Sequence, residues 1–186
     1  EKCISQGRRA IVLVPEIALT HQIINRLAGR FPNKVAVLHS GLTPGERYDQ
    51  WWKINRGEYP IVVGSRSAIF SPQMELGLIV IDEEHEWTYK QIDSEPRYHT
   101  RDVAIKLAKL TSATLVMGSA SPDVDTRYRT DSGIHKLLLL PDRILESTDG
   151  LTESKNLAEV EIVDIKEELK QGHDHFLSRK LLKYLE

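Results

Sequence analysis

Four aliphatic residues, Leu78-Ile79-Val80-Ile81, run without a break into Asp82-Glu83-Glu84-His85. An uncharged, mostly β-branched run of this kind fits a strand buried on both faces. Its end is a poor place for crowded carboxylates unless something cationic binds there. In open α/β sheets the carboxyl edge of the strands is where ligands sit. Two adjacent carboxylates at that edge suit a hydrated Mg²⁺ and the water it helps activate, the chemistry of a Walker B box. A strand running into an acidic, solvated helix start fits the same residues, because carboxylates favour the N-terminal end of the helix dipole. The motif by itself leaves both readings open.

The rest of the chain supplies the context. From Ala10 to about Leu140, apolar runs alternate with amphipathic stretches, the signature of βα units and a parallel sheet. Strands are expected at residues 10–14, 34–38, 61–64, 78–81, 114–117 and 136–140. Helices are expected at 16–31, where Ile17, Ile24, Leu27 and Phe31 recur at helical spacing, and at 99–110, with Val103, Leu107 and Leu110. Thr43-Pro44-Gly45-Glu46 has the form of a capping box and should open a helix carrying Trp51 and Trp52. Adjacent residues on a helix cannot share a face, so one tryptophan is expected in the core and the other partly exposed. Residues 141–156 are polar with few apolar anchors and read as a linker or mobile loop. Residues 159–164 read as a further strand, and Ser178 as the cap of a helix running to Glu186.

Composition narrows the class. With 186 residues, 40% hydrophobic and 28% charged, the chain can bury one full core. Its single cysteine, Cys3, rules out an internal disulfide and a cysteine-rich zinc site within the chain, and a reducing cytoplasm is the expected compartment. No apolar stretch approaches membrane-spanning length. A formal net charge of −2 gives no bulk pull towards nucleic acid, so any such contact must be local. The chain opens Glu1-Lys2 without a Met, and a processed or cut start is expected. His173 and His175 share a short polar loop with too few neighbours for a metal site.

Four strand ends converge on one edge of such a sheet: Val14-Pro15-Glu16, Gly64-Ser65-Arg66, Asp82 to His85, and Gly118-Ser119-Ala120-Ser121. This arrangement resembles lobe one of a superfamily 2 helicase, a truncated α/β fold of the RecA-like, P-loop NTPase type with helices on both faces of a mostly parallel sheet. More closely, residues 13–20, 62–70, 82–85 and 98–104 resemble the primosomal replication-restart helicases of that superfamily. The resemblance covers nearly the whole chain. It divides it into lobe one at 1–141, a linker at 142–158 and the lead into a second lobe at 159–186. Other superfamily 2 translocases, of the RecG-like or transcription-coupled repair type, are the neighbouring reading. A non-catalytic DNA-binding module is the one outside the class.

The resemblance implies ATP and Mg²⁺ as cofactors, and single-stranded and forked DNA, primosome proteins and single-strand-binding proteins as partners, with no membrane role. It implies that Asp82 holds Mg²⁺, that Glu83 orients or deprotonates the attacking water, and that His85 contacts Ser119 or Ser121 to link nucleotide state to lobe movement. On the DNA side it implies Glu16 and Thr20 at a helix start, Ser65 and Arg66 at a second strand end, and the segment Trp87-Thr88-Tyr89-Lys90. Trp87 and Tyr89 would stack on unpaired bases while Lys90 reaches phosphate, Arg97 is a further nucleic-acid contact, and Arg101 beyond it adds to the case for an exposed segment. Helix capping is the rival role for Glu16 and Arg66, and core packing for Trp87. The family usually has Thr at the position of Ser121 and Pro at that of His21. No Gly-x-x-x-x-Gly-Lys-Ser/Thr occurs in the chain. The resemblance therefore implies that the chain begins just after its own phosphate loop and stops before a second lobe that would carry an arginine finger and zinc-binding cysteines.

Overall fold

In the computed structural model, the described residues are 1–15, 21–141, 144–146, 152–154 and 160–185. The chain divides into two compact units, Glu1–Lys136 and Leu137–Glu186. The strands of the first unit are β1 (Arg9–Leu13), β2 (Val35–Leu38), β3 (Ile61–Gly64), β4 (Leu76–Ile81), the two-residue β5 (Lys90–Gln91) and β6 (Tyr98–His99), and β7 (Thr114–Met117). Its helices are α1 (Lys2–Ser5), α2 (His21–Arg30), α3 (Pro44–Asn55), α4 (Thr100–Thr111) and α5 (Val124–Asp131). Five strands form one sheet in the order β2-β3-β1-β4-β7, and every neighbouring pair is parallel. Parallel pairing aligns the ends of β1, β3, β4 and β7 on one edge, as the strand pattern predicted.

Alternation sorts the side chains. Ile11, Leu13, Ala36, Val62, Ile79 and Ile81 face one layer, where Ile54 of α3 and Ala104 of α4 cover them. Val12, Val35, Ile61 and Val63 face the other, against Ile4 of α1 and Leu27 of α2. Helices thus lie on both faces. The cover is uneven, however: Ile79 and Ile81 are fully buried, but Leu78 and Val80 are only half-buried and Val116 of β7 is exposed. The expectation of a β4 buried on both faces holds for one face, because the described helices of the second face pack over β1 to β3.

Local chemistry fixes two elements near the site. At the start of α3 the Thr43 hydroxyl accepts from the Glu46 amide, and the Glu46 carboxylate accepts from the Thr43 amide at 2.9 Å, so the capping box forms as expected. At the end of β3, Gly64 packs so closely that a Cβ there would lie 2.6 Å from the Ala68 Cβ and closer still to the Leu38 carbonyl. Only glycine lets the chain turn there into the short 3₁₀ helix Arg66–Phe70, whose Ala68 and Ile69 are buried. The tryptophans of α3 depart from expectation: both are exposed, and Ile54 makes the core contact instead. Trp52 packs edge-to-face on Trp51 and Tyr48, with ring centroids 5.2 and 6.1 Å away. Two polar-edged rings thus shelter each other rather than entering a core already filled by Ile54.

The second unit contains β8 (Ile144–Glu146) paired antiparallel with β9 (Thr152–Ser154), and helices α6 (Ile165–Lys170) and α7 (Arg179–Leu185). This hairpin lies within the stretch read as a linker. Neither strand expected at 136–140 nor that at 159–164 forms. Residues 136–140 have no regular secondary structure, with Leu138, Leu139 and Leu140 exposed, and residues 160–164 likewise expose Val160 and Ile162; Glu159 lies outside the described residues. Aliphatic composition alone does not make a strand when no described neighbour offers a ladder. Ser178 caps α7 by accepting from the Leu181 amide at 3.1 Å. No helix among the described residues is long and apolar enough to cross a membrane.

Replacing Gly64 with Ala forces the turn after β3 to open, and the expected cost is about 1–3 kcal/mol of unfolding free energy. Urea denaturation checks it, and no loss of stability would show that the β3 turn is looser than described.

Candidate functional site

Asp82 follows β4 directly, and its amide donates to the Leu13 carbonyl at 2.9 Å, so the motif is anchored on the neighbouring β1. Its side chain is exposed, and Oδ1 accepts from the Glu83 amide at 3.2 Å. Glu83 has φ 46°, a left-handed conformation that costs a non-glycine residue about 1–2 kcal/mol. This kink separates two neighbouring carboxylates. The Glu83 side chain stays 47% exposed beside Asp82, whereas that of Glu84 is 1% exposed. His85 Nδ1 shares a hydrogen bond with Ser119 Oγ at 2.6 Å and lies 3.6 Å from Glu83 Oε2. Ser119 Oγ also accepts from the Ser121 amide at 3.0 Å, which leaves its own proton free to point at the imidazole. Of the two expected contacts of His85, the one to Ser119 forms. Ser121 instead braces Ser119.

Glu84 is the residue that sequence reasoning missed. One oxygen accepts from the Asp123 amide at 2.8 Å, and the other from the Thr126 hydroxyl at 2.8 Å and the Arg101 guanidinium at 3.2 Å. The Glu84 amide in turn donates to the Gly118 carbonyl at 2.9 Å. The residue thus grips both ends of the loop carrying Ser119 and Ser121. Arg101, expected to add to an exposed basic segment, is instead buried with it and also reaches Asp123 at 3.1 Å. Burial opposes the Arg101 charge, but its hydrogen bonds to Asp123 and Glu84 outweigh that and hold its pKa above the ordinary value. Donation from the Asp125 amide, followed by contact with Arg101, holds the Asp123 carboxyl below its usual range. The available signal was position: Arg101 falls on the side of α4 that also carries Ala104 and Ala108, where a lone cation requires a buried partner.

The nucleic-acid candidates divide. Val14, Pro15, Ser40, Arg47, Ser65, Arg66, Ser67 and Trp87, with Gln91, Asp93 and Tyr98, line an open cleft of about 370 Å³ at the same strand edge. Trp87 is 72% exposed, so the core-packing alternative is excluded. Tyr89 is corrected: it is 1% exposed, and its hydroxyl donates to the Asp82 carbonyl at 2.8 Å, so its ring cannot stack on a base. Burial and then the Asp82 carboxylate push its phenol above the usual range, which keeps it a donor. Arg66 is not a free cation, for its Nη1 donates to the Thr88 and Lys90 carbonyls at 3.0 and 2.9 Å. Ser65 lines the cleft but is largely buried. Lys90 and Arg97 are exposed outside the cleft lining, and Arg97 pairs with Glu95 at 3.1 Å. Glu16 and Thr20 lie outside the described residues.

Glu84→Ala would leave Arg101 buried without its innermost partner, and the expected loss is about 3–5 kcal/mol of stability. Glu83→Ala, one position away but exposed, should stay within about 0.5 kcal/mol. Denaturant midpoints for the two variants check the contrast, and equal effects would contradict the division of roles.

Comparison with known proteins accords with this geometry. The family described as DEAD/DEAH box helicase matches residues 2–130. The chain is 48% identical over its whole length to the replication restart protein PriA of Bacillus subtilis, covering 22% of that protein. It is 44% identical over 96% of its length to PriA of Synechocystis sp., covering 21% of it. The chain therefore spans about a fifth of the relatives it matches. Among solved structures, RecG bound to a three-way DNA junction aligns with 68% of this chain and 16% of that one, at 24% identity and a TM-score of 0.43. With its five-stranded parallel sheet of the RecA-like α/β type, the chain belongs to the DEAD/DEAH box helicase family.

Proposed function

We propose that this chain is part of an ATP-dependent 3′-to-5′ DNA helicase of the PriA type, acting on single-stranded and forked DNA in replication restart in the cytoplasm. The observation that carries this reading is the convergence of Asp82, Glu83, His85 and Ser119 beside an open cleft that presents Trp87. Two things follow from one edge: a place for phosphoryl chemistry and a place for a strand.

The carboxylates fit Mg²⁺. Among the described residues no cluster of three or more His, Cys, Asp or Glu side chains is arranged to cage a metal. An ion at Asp82 would keep most of its waters and take phosphate oxygens, which is how Mg²⁺ binds. When bound it would neutralise charge on the phosphates of ATP. Asp82 would hold the ion through its exposed oxygen, and Glu83, kept beside it by the left-handed turn, would orient and deprotonate water. His85 and Ser119 would pass a change at this cluster to the loop at residues 118–123. Trp87 offers an exposed ring for unpaired bases, a stacking contact that every base can make, so binding would be independent of sequence. Zinc and the proteins of the primosome would belong to other parts of the full-length protein. The chain has no phosphate-cradling lysine loop of its own, so by itself it should not turn over ATP.

In the full-length protein, Asp82→Asn should lower DNA-stimulated ATP hydrolysis by roughly 100-fold or more, the scale of losing one preorganised electrostatic group. Trp87→Ala should weaken single-strand binding by about 1–3 kcal/mol. Steady-state phosphate release and fluorescence anisotropy measure the two. Full activity in the first variant would refute the nucleotide site, and unchanged affinity in the second would refute the strand site.

A further inference from the structure

Two arginines line the cleft, and they are not equivalent. Arg66 spends Nη1 on the carbonyls of Thr88 and Lys90, one on each side of Tyr89. The Tyr89 carbonyl is itself held by the Thr100 hydroxyl at 2.9 Å, and its phenol by Asp82. Arg66 is therefore one of several ties that fix the segment presenting Trp87, and moving it towards a ligand would release two backbone acceptors. Arg47 comes from the first turns of α3 and is exposed. Among the described residues, no ion pair or side-chain hydrogen bond engages its guanidinium. All five of its N–H donors remain available to an incoming oxyanion. Asp93 also faces the cleft, so the net charge of the lining depends on both arginines, and losing the uncommitted one removes the freely moving cation.

We propose that Arg47 is the group through which the cleft binds a phosphodiester of single-stranded nucleic acid, and that Arg66 is a positioning residue for the Trp87 segment. This assignment rests on the nucleic-acid reading above, and it moves the phosphate contact from a strand end to a helix outside the motif set. The exposed hydroxyl of Ser67 shares the lining and can add a hydrogen bond to a phosphate oxygen, whereas the Gln91 amide is already held by Ser94.

The test uses the full-length protein and a fluorescein-labelled oligothymidylate, with affinity measured by anisotropy across a series of salt concentrations. Arg47→Gln should reduce the steepness of log K against log salt by about 0.7, the value of one phosphate contact on a single strand. Arg66→Gln should leave that slope unchanged while lowering the kcat of ATP turnover at saturating oligonucleotide, and Arg66→Lys, which restores a donor of similar reach, should recover part of the loss. An unchanged slope in Arg47→Gln overturns the proposal, as does a drop in Arg66→Gln equal to that of Arg47→Gln. Failure of the wild-type protein to bind the oligonucleotide refutes the nucleic-acid reading itself, before either variant is made.

Discussion

The buried Glu84 carboxylate is the interaction on which the site depends. It sits at the end of β4 in a place that water does not reach, and a charge there persists only because Arg101, Thr126 and the Asp123 amide satisfy it. These partners come from α4, α5 and the turn before α5, so one side chain gathers three segments. Through its amide it also holds Gly118, at the end of the adjacent β7. The loop with Ser119 and Ser121 is thereby fixed at both ends, which is what lets His85 meet Ser119 at hydrogen-bond distance. Glu83 can point outward beside Asp82 because Glu84 points inward, and the left-handed backbone at Glu83 is the local cost of that division.

A second set of bonds links the cleft to the same cluster. Tyr89 runs from the segment that presents Trp87 to the carbonyl of Asp82, and Arg66 runs from the end of β3 to that segment. The segment presenting Trp87 and the turn at Asp82 are therefore hydrogen-bonded to each other rather than merely lying close. A contiguous set of fixed bonds is the material from which coupling is made, although coupling itself requires two alternative arrangements. The exposed ring of Trp87 is the part free to respond, since its neighbours on either side are tied down.

Much of this was legible in the sequence, because parallel sheets leave a strong trace. Aliphatic runs of four or five residues located β1, β2, β3, β4 and β7, and small or charged residues after them marked the working edge. The same rule failed at 136–140 and 160–164, where aliphatic residues remain exposed, because a strand requires a partner that local composition does not reveal. Side-chain direction was the other blind spot. Tyr89 and Arg101 carry groups suited to DNA, yet both turn inward, each matched to a buried acceptor supplied by a residue distant in sequence or in the neighbouring turn. Asp82 and Glu83 had distinct roles from the motif and Glu84 had none, and only the backbone turn at Glu83 shows that the third carboxylate points inward. Arg47 escaped notice because it lies in no motif, and only the folded cleft brings α3 to the strand ends.

The central claim is that the carboxylates at the end of β4 perform phosphoryl chemistry, with Glu83 acting on water and not on nucleotide affinity. The most direct measurement is Glu83→Gln in the full-length protein, with equilibrium binding of a fluorescent ATP analogue and ATP turnover determined on the same preparation. The account predicts nucleotide affinity close to wild type with turnover largely lost. Turnover close to wild type in that variant would contradict it.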